Sequence, residues 1–422
     1  MARTKVYLVP GFFGFTSFGA LSYFHRVSET LEEALADRGL EADVIECPTQ
    51  PSGSITRRAD RLRKHVLGTR GDESESIHFI GHSTGGLDVR LLLSPGVRVV
   101  RDGSQEGLAR KTRSAITMST PHHGTPLATF FASVQGRHLL EVAASHATSL
   151  HGRATIVAWA RALSALARLD DFIPSRRNTP LDQLSNALLR RVTMSKRDAV
   201  WLFLHEVSAD QGIIVQITPE SLNLFNAMVV DRPTVAYSSI ATAAPRPPFA
   251  YQGTEALGVL RTPMAAIFVT LHTLTARMHK QYPYPVPEGE QAAVLADRLP
   301  FPVDDRTNDG IVPTLSQIEG RLLHAVAADH LDVVGQFRRE GEPLSDWLPS
   351  GAHFGEEEFQ ALWGLVADEI VRAQHERAES GDDASKHRAG AAPSHGPRPA
   401  SPFDAPRPAA AARRGHDDEP RN

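Results

Sequence analysis

The sequence predicts an α/β fold, a mostly parallel central sheet with helices on both of its faces. Three observations predict it. Short β-branched and aromatic runs alternate with helical stretches from the N-terminus to Thr120. The first run, KVYLVP, reads as a buried strand stopped by Pro-Gly, and the helical stretches carry apolar residues on one face only. Such alternation is the pattern of crossover units, whose functional loops lie at the carboxyl ends of the strands.

The elements follow in order. After the strand at Lys5 to Pro10, LSYFHRVSETLEEALADRG places Leu21, Phe24, Val27, Leu31, Ala34 and Leu35 on one helical face and stops at Gly39. EADVIEC is strand-like, and SITRRADRLRKHVLG repeats the helical pattern through Ile55, Leu62 and Val66. SIHFIG, TGGLDVRLLL and RSAITMS then read as strand, helix and strand. From Leu127 to Ser208 the chain is predominantly helical, with an apolar stripe at Ile156, Trp159, Ala160, Leu163, Leu166 and Ala167. Strand character returns at Thr234 to Thr242 and at Arg321 to Ala328, separated by the irregular PRPPF and YPYPVPEG segments. A closing helix points Phe359, Leu362, Trp363, Val366 and Ile370 inward. From about Glu376 large apolar residues nearly vanish, and disorder is expected. The organisation expected is one domain over 1–375, with a helical cap or lid inserted over 127–230, followed by a disordered tail over 376–422.

Composition narrows the function classes. The 422 residues are 41% hydrophobic and 22% charged, with a formal net charge of -4, which is ordinary globular material and gives no reason to expect a nucleic-acid partner. Cys47 is the one cysteine, so neither an internal disulfide nor a thiolate metal cluster can form. The short apolar run at the N-terminus passes at once into Pro-Gly and lacks the form of a signal peptide. No stretch reaches the ~20 apolar residues of a transmembrane helix. A soluble protein, cytoplasmic or exported without a recognisable signal peptide, is expected.

The chemistry is concentrated at HFIGHSTGGLDV. Gly81-His82-Ser83-Thr84-Gly85 fits the G-x-S-x-G elbow, a tight strand-to-helix turn that exposes a serine at the sheet rim. The helix that follows aims its free amides and positive end at the same spot, where an oxyanion would develop. A plain helix-capping Ser-Gly turn is the blander reading, but here a strand-like run precedes the motif and a helix follows it. A serine hydroxyl needs a base and a group that orients the base, in the chain order Ser, acid, His. Asp309 in TNDGIVPTLSQ and His330 in the loop after the last strand supply them. A turn-forming Asp-Gly and a surface histidine are their plainer alternatives. Asp304 and Asp305 compete for the acid but lack the following glycine, and His324, inside an apolar strand, reads as core. The oxyanion donors expected are the amides of Thr84 and of Phe12, the latter in the VPGFFGF loop after the first strand.

Taken together, LVPGFFGF, GHSTGG, STPHHGTPLA, TPESLNLFNA, TNDGIVPTLSQ and HLDVVGQF resemble the bacterial triacylglycerol lipase and esterase group of α/β-hydrolases. The resemblance implies a sheet that starts at what is usually the third strand, a helical lid after the sixth, and hydrolysis of carboxylic esters without a cofactor. It assigns Ser83 as nucleophile, Asp309 as acid, His330 as base, and the amides of Phe12 and Thr84 as oxyanion donors. It implies an acyl ester or lipid substrate. The apolar stripe at Ile156 to Ala167, with TFFASV (Thr129 to Val134), suggests a cap that shelters acyl chains and makes transient contact with a lipid surface, and an ordinary buried helix pair is the plainer alternative. Pro10-Gly11 departs from the usual His-Gly and removes a side chain that helps hold the loop. Some members carry a structural calcium, and Asp332 and Gln336 match two of its ligand positions, with Asp297 a guess for another; an aspartate in a helical turn with no ion is the competing reading. The tandem histidines of PHHG, Pro121 to Gly124, read as a structural turn. The same scaffold also serves polyester, phospholipid and lactone hydrolases and acyltransferases, and an inactive interaction protein is the non-enzymatic alternative.

Overall fold

Six parallel strands form the sheet of the computed structural model, which describes residues 4–12, 17–18, 21–50, 53–69, 76–132, 212–247, 263–277, 281–339, 346 and 348–389. The chain divides after Arg377 into two units, and the sheet belongs to the first. Strand β1 (Thr4–Val9) leads past a short antiparallel ribbon, Ser17–Phe18 with Leu21–Ser22, into α1 (Val27–Asp37). Then follow β2 (Ala42–Glu46), α2 (Ile55–Thr69), β3 (Ser76–His82), α3 (Thr84–Leu93), α4 (Ser104–Lys111) and β4 (Thr112–Met118). Helices α5 (Pro126–Ala132), α6 (Gly212–Gln216) and α7 (Pro219–Met228) precede β5 (Ala236–Ala243). After α8 (Pro263–Thr275) and α9 (Gly289–Arg298) come β6 (Arg321–Ala327) and α10 (Glu356–Ala389).

The strand order is β2-β1-β3-β4-β5-β6, with every neighbouring pair parallel. The chain moves outward from β1 to β2 and then returns to the other side of β1 to lay down β3. The loops after β1 and β3 therefore leave the sheet where the strand order switches, the position at which open α/β sheets bind ligands. The N-terminal loop and the serine elbow are those two loops.

Period-two alternation divides the core between the two faces. Tyr7, Val9, Ile77, Phe79 and Ala115 pack with α2, α3 and α4 on one side. Val6, Leu8, Ile80, Ile116 and Met118 pack with α1 and α10 on the other. The expected inward residues of α10 are all buried there, and Trp363 donates its indole N–H to Val333 O at 3.1 Å. Each such side chain contributes about 2 kcal/mol by burial. Helix α3 is buried at every position, packed against α2, α4 and strands β3 and β4.

Three elements differ from the sequence reading. Helix α1 starts at Val27 rather than near Leu21, which lies in the ribbon; Arg26 has φ 60°, and the His25 amide donates to Val334 O at 2.9 Å instead of entering a helical turn. His324 is half-buried rather than core, because β6 is an edge strand. Helix α10 runs on to Ala389, past residue 376, and residues 390–422 lie outside the described residues. Cys47 is buried just past β2 with its thiol free, as expected. Of the 127–230 insertion, 133–211 lie outside the described residues, and with them the apolar stripe at Ile156 to Ala167. Among the described residues no helix is long and apolar enough to cross a membrane.

Candidate active site

Ser83 stands between β3 and α3 with φ 54° and ψ -131°, a strained conformation for a residue with a side chain. Its amide donates to Met118 O at 2.8 Å, which ties the turn to the end of β4. The flanking glycines are obligatory. A Cβ on Gly85 would lie 2.2 Å from Val9 O, and one on Gly81 would lie 2.6 Å from the Gly86 backbone. The motif thus reports close approach of three backbones, which is what pushes the serine out of the turn.

The loop after β1 runs against this serine. A Cβ on Gly11 would be 2.5 Å from Ser83 Cβ and 2.9 Å from Ser83 Oγ. Phe12 follows directly, half-buried against the α2 side of the core, and Thr84 opens α3 directly after the serine. Both candidate oxyanion amides therefore belong to segments that meet at Ser83.

Asp309 and His330 come together as the sequence order requires. His330 Nδ1 lies 2.8 Å from Asp309 Oδ2, and both residues are buried. Asp309 is not on β5, but the Ala244 amide, just past that strand, donates to Asn308 O at 3.0 Å and pins its turn to the strand end. Asp309 Oδ1 accepts the amides of Ile311 and Val312 at 2.9 and 2.7 Å. Oδ2 accepts from Thr242 Oγ1 at 2.8 Å and Gln317 Nε2 at 3.2 Å as well as from the imidazole. So many donors fix the carboxylate and, through it, the ring orientation of His330. His330 follows β6, its amide donates to Asp309 O at 3.1 Å, and its ring lies 4.8 Å between centroids from that of His82, the residue before Ser83. No hydrogen bond joins the Ser83 hydroxyl to the His330 imidazole among the described residues; such contacts commonly tighten only when substrate is bound.

Sequence reasoning missed the residues that hold the loop after β1. Arg58, on α2 and wholly buried, donates through Nη2 to Pro10 O at 2.8 Å, and through Nη1 to Gln50 O at 2.6 Å and Gly11 O at 3.4 Å. Its Nε and Nη2 also engage Asp88 of α3, with Nη2 2.8 Å from Asp88 Oδ2. Burial pushes the Asp88 carboxyl up to about 6, opposed by the Arg58 charge. This guanidinium ties the backbone of the loop after β1 to α2 and, through Asp88, to α3. Its signal was a charged residue one turn from Ile55, on the apolar stripe of α2. Tyr23, which accepts the Gly11 amide, and His82, which bonds the Tyr23 hydroxyl, had no such signal.

The competing residues have structural roles. Asp304 accepts the amides of Arg306 and Thr307 and pairs with Arg246. His122 is buried between Arg90 Nη1 at 3.2 Å and Thr117 Oγ1 at 3.0 Å, and burial holds its imidazole well below the usual range. The PHHG segment is accordingly a turn.

For the calcium reading, Asp332 Oδ2 accepts the Asp329 amide at 2.8 Å, and burial, then the neighbouring Asp329, raises its carboxyl well above the usual range. Gln336 Nε2 is 3.5 Å from Tyr23 O. Asp297 lies on α9, mostly exposed and beside Arg298. Calcium takes six to eight oxygen ligands. Among the described residues no group of three or more His, Cys, Asp or Glu side chains is placed to hold a metal ion, and the chemistry below is derived from the protein's own groups.

No family model matches the chain. A triacylglycerol lipase of Pseudomonas fragi is 29% identical over 150 residues, 35% of this chain and 45% of that protein, so the match spans under half of the relative's length. Among solved structures, the Staphylococcus hyicus lipase aligns over 90% of this chain and 97% of its own at 16% identity and TM-score 0.48. A metagenomic carboxyl esterase aligns over 89% and 76% at 16% identity and TM-score 0.45. The sheet order, the serine elbow and the strand-end acid and histidine make this an α/β-hydrolase fold, and the chain is similar to bacterial lipases and esterases.

Proposed function

We propose that the protein is a serine carboxylic-ester hydrolase of the lipase or esterase type, acting through an acyl-enzyme. The observation that carries the reading is the 2.8 Å contact of a buried carboxylate with the imidazole of His330, whose ring lies 4.8 Å from that of His82, the residue before a serine held at φ 54° on an elbow. Ser83 Oγ attacks the ester carbonyl as His330 takes its proton, and Asp309 orients the imidazole and stabilises the cation. The amides of Phe12 and Thr84 receive the oxyanion, each worth about 3 kcal/mol in the transition state. His330 then protonates the leaving alcohol, and water repeats the cycle on the acyl group. No step needs a cofactor or passes through a metal.

The Pseudomonas fragi relative is a triacylglycerol lipase, and the substrate class proposed here is correspondingly the ester of an apolar acid. Contact with a lipid surface through the 127–230 insertion belongs to the same proposal. A panel of p-nitrophenyl esters of increasing acyl length, with and without micelles, tests both parts. Turnover that persists at long acyl length and rises with micelles is expected. A strict short-chain preference with no micelle response overturns the lipid-surface part, and absence of hydrolysis at every length overturns the ester-hydrolase reading.

A further inference from the structure

A line of hydrogen bonds connects the loop after β1 to the backbone of His330, and every proton in it has one place. The Gly11 amide lies 3.0 Å from Tyr23 Oη, Tyr23 Oη lies 2.7 Å from His82 Nδ1, and His82 Nε2 lies 2.9 Å from His330 O. A backbone carbonyl only accepts, so the His82 proton sits on Nε2. Nδ1 is then bare, and the Tyr23 hydroxyl must donate to it. That leaves a lone pair of the phenol to accept the Gly11 N–H. His82 is fully buried, and burial, reinforced by the neighbouring His330, holds its imidazole well below the usual range, so it stays neutral. Burial likewise pushes the Tyr23 phenol up and keeps its proton on.

The two ends of this line are the parts of the site that must keep one mutual placement. Gly11 precedes Phe12, the candidate oxyanion donor, and a Cβ there would touch Ser83. His330 carries the candidate base, and its ring leans on that of His82 at 4.8 Å and 50°. Tyr23 in turn meets the His82 ring edge-on at 5.7 Å. Asp309 fixes the imidazole of His330 at Nδ1, but the loop after β1 has no direct bond to the acid–base pair among the described residues. His82 and Tyr23 bridge that gap, and a neutral His82 does so without opposing the positive charge that His330 gains in the reaction.

We infer that Tyr23 and His82 are positioning residues, which couple the oxyanion loop to the catalytic base by the directed line Gly11 N–H to Tyr23 O–H to His82 to His330 carbonyl. The inference rests on the hydrolase reading above. A misplacement of oxyanion donors acts on the transition state and not on substrate affinity, so the effect belongs in kcat.

The test combines kinetics with imidazole nitrogen spectroscopy on the full chain. In the wild type, the side-chain ¹⁵N spectrum of His82 should show a neutral ring with the proton on Nε2 throughout the pH range of activity; a proton on Nδ1 overturns the inference without any variant. Tyr23→Phe is expected to lower kcat by roughly 10-fold to 100-fold, less than loss of an oxyanion donor itself, with KM within about twofold. His82→Leu removes both the acceptor for Tyr23 and the donor toward His330 O, so adding Tyr23→Phe to it should cost little more, as coupled residues are non-additive. Wild-type kcat in Tyr23→Phe, or losses that simply multiply in the double variant, overturns the coupling. Ser83→Ala in the same assay separates the two levels: if it is inactive while Tyr23→Phe is fully active, the coupling alone falls, and if it retains full turnover the hydrolase reading falls as well.

Discussion

Ser83→Ala is expected to lower kcat for ester hydrolysis by roughly 10⁶-fold while the protein stays folded, the scale seen when a serine hydrolase loses its nucleophile. The loss follows because the Ser83 hydroxyl stands at the elbow, where the two segments bearing the candidate oxyanion amides meet. Retention of the fold follows from how the turn is held. The Ser83 hydroxyl makes no capping bond. The turn depends instead on backbone contacts, the Ser83 amide to Met118 O at 2.8 Å and the Gly86 amide to Ser83 O at 3.1 Å. Alanine bears the same φ 54° strain as serine and adds nothing to it. Steady-state rates on a p-nitrophenyl ester, with thermal unfolding of the same sample, check both halves. A folded variant with wild-type turnover contradicts the assignment.

Arg58→Met acts on the fold as well as the site. It removes the donor of the Pro10, Gly11 and Gln50 carbonyls and leaves Asp88, which has no exposed surface, without its counter-ion. Breaking one partner of a buried ion pair costs about 3 to 5 kcal/mol, because the surviving charge stays desolvated. A lowered denaturation midpoint and a loss of kcat are both expected. A second substitution, Asp88→Leu, distinguishes the two effects. It takes away the orphaned carboxylate and should recover much of the stability, since apolar replacement of both partners is often neutral. It cannot recover the bonds to Pro10 and Gly11, so kcat should stay low. Recovery of both quantities in the double variant contradicts a role for Arg58 in holding the loop.

What could be read from the sequence is what depends on neighbours in sequence. Gly81 and Gly85 report close backbone approach, Pro10-Gly11 and Asp309-Gly310 report turns, and short continuous apolar runs report strands buried on both faces. Each of these is local chemistry with one common structural outcome. Residues that connect distant segments were harder to read. Arg58 on the α2 stripe and Asp88 in the apolar α3 are each anomalous alone, but nothing in the sequence pairs them across the fold. Tyr23 was read as the start of a helix, because LSYFHRV has helical spacing; its hydroxyl bond to His82 and the outward turn at His25 and Arg26 are tertiary contacts that override that spacing. The edge position of β6, which leaves His324 half-buried, is likewise a property of sheet order and not of the strand's own residues.

The central claim is that the Ser83 hydroxyl is the activated nucleophile. Reaction of the folded protein with a fluorophosphonate, followed by peptide mapping, tests it most directly. A single adduct on Ser83, formed in step with loss of ester hydrolysis, is the predicted result. Hydrolysis that survives full modification of Ser83, or inactivation with the adduct on a different residue, contradicts it.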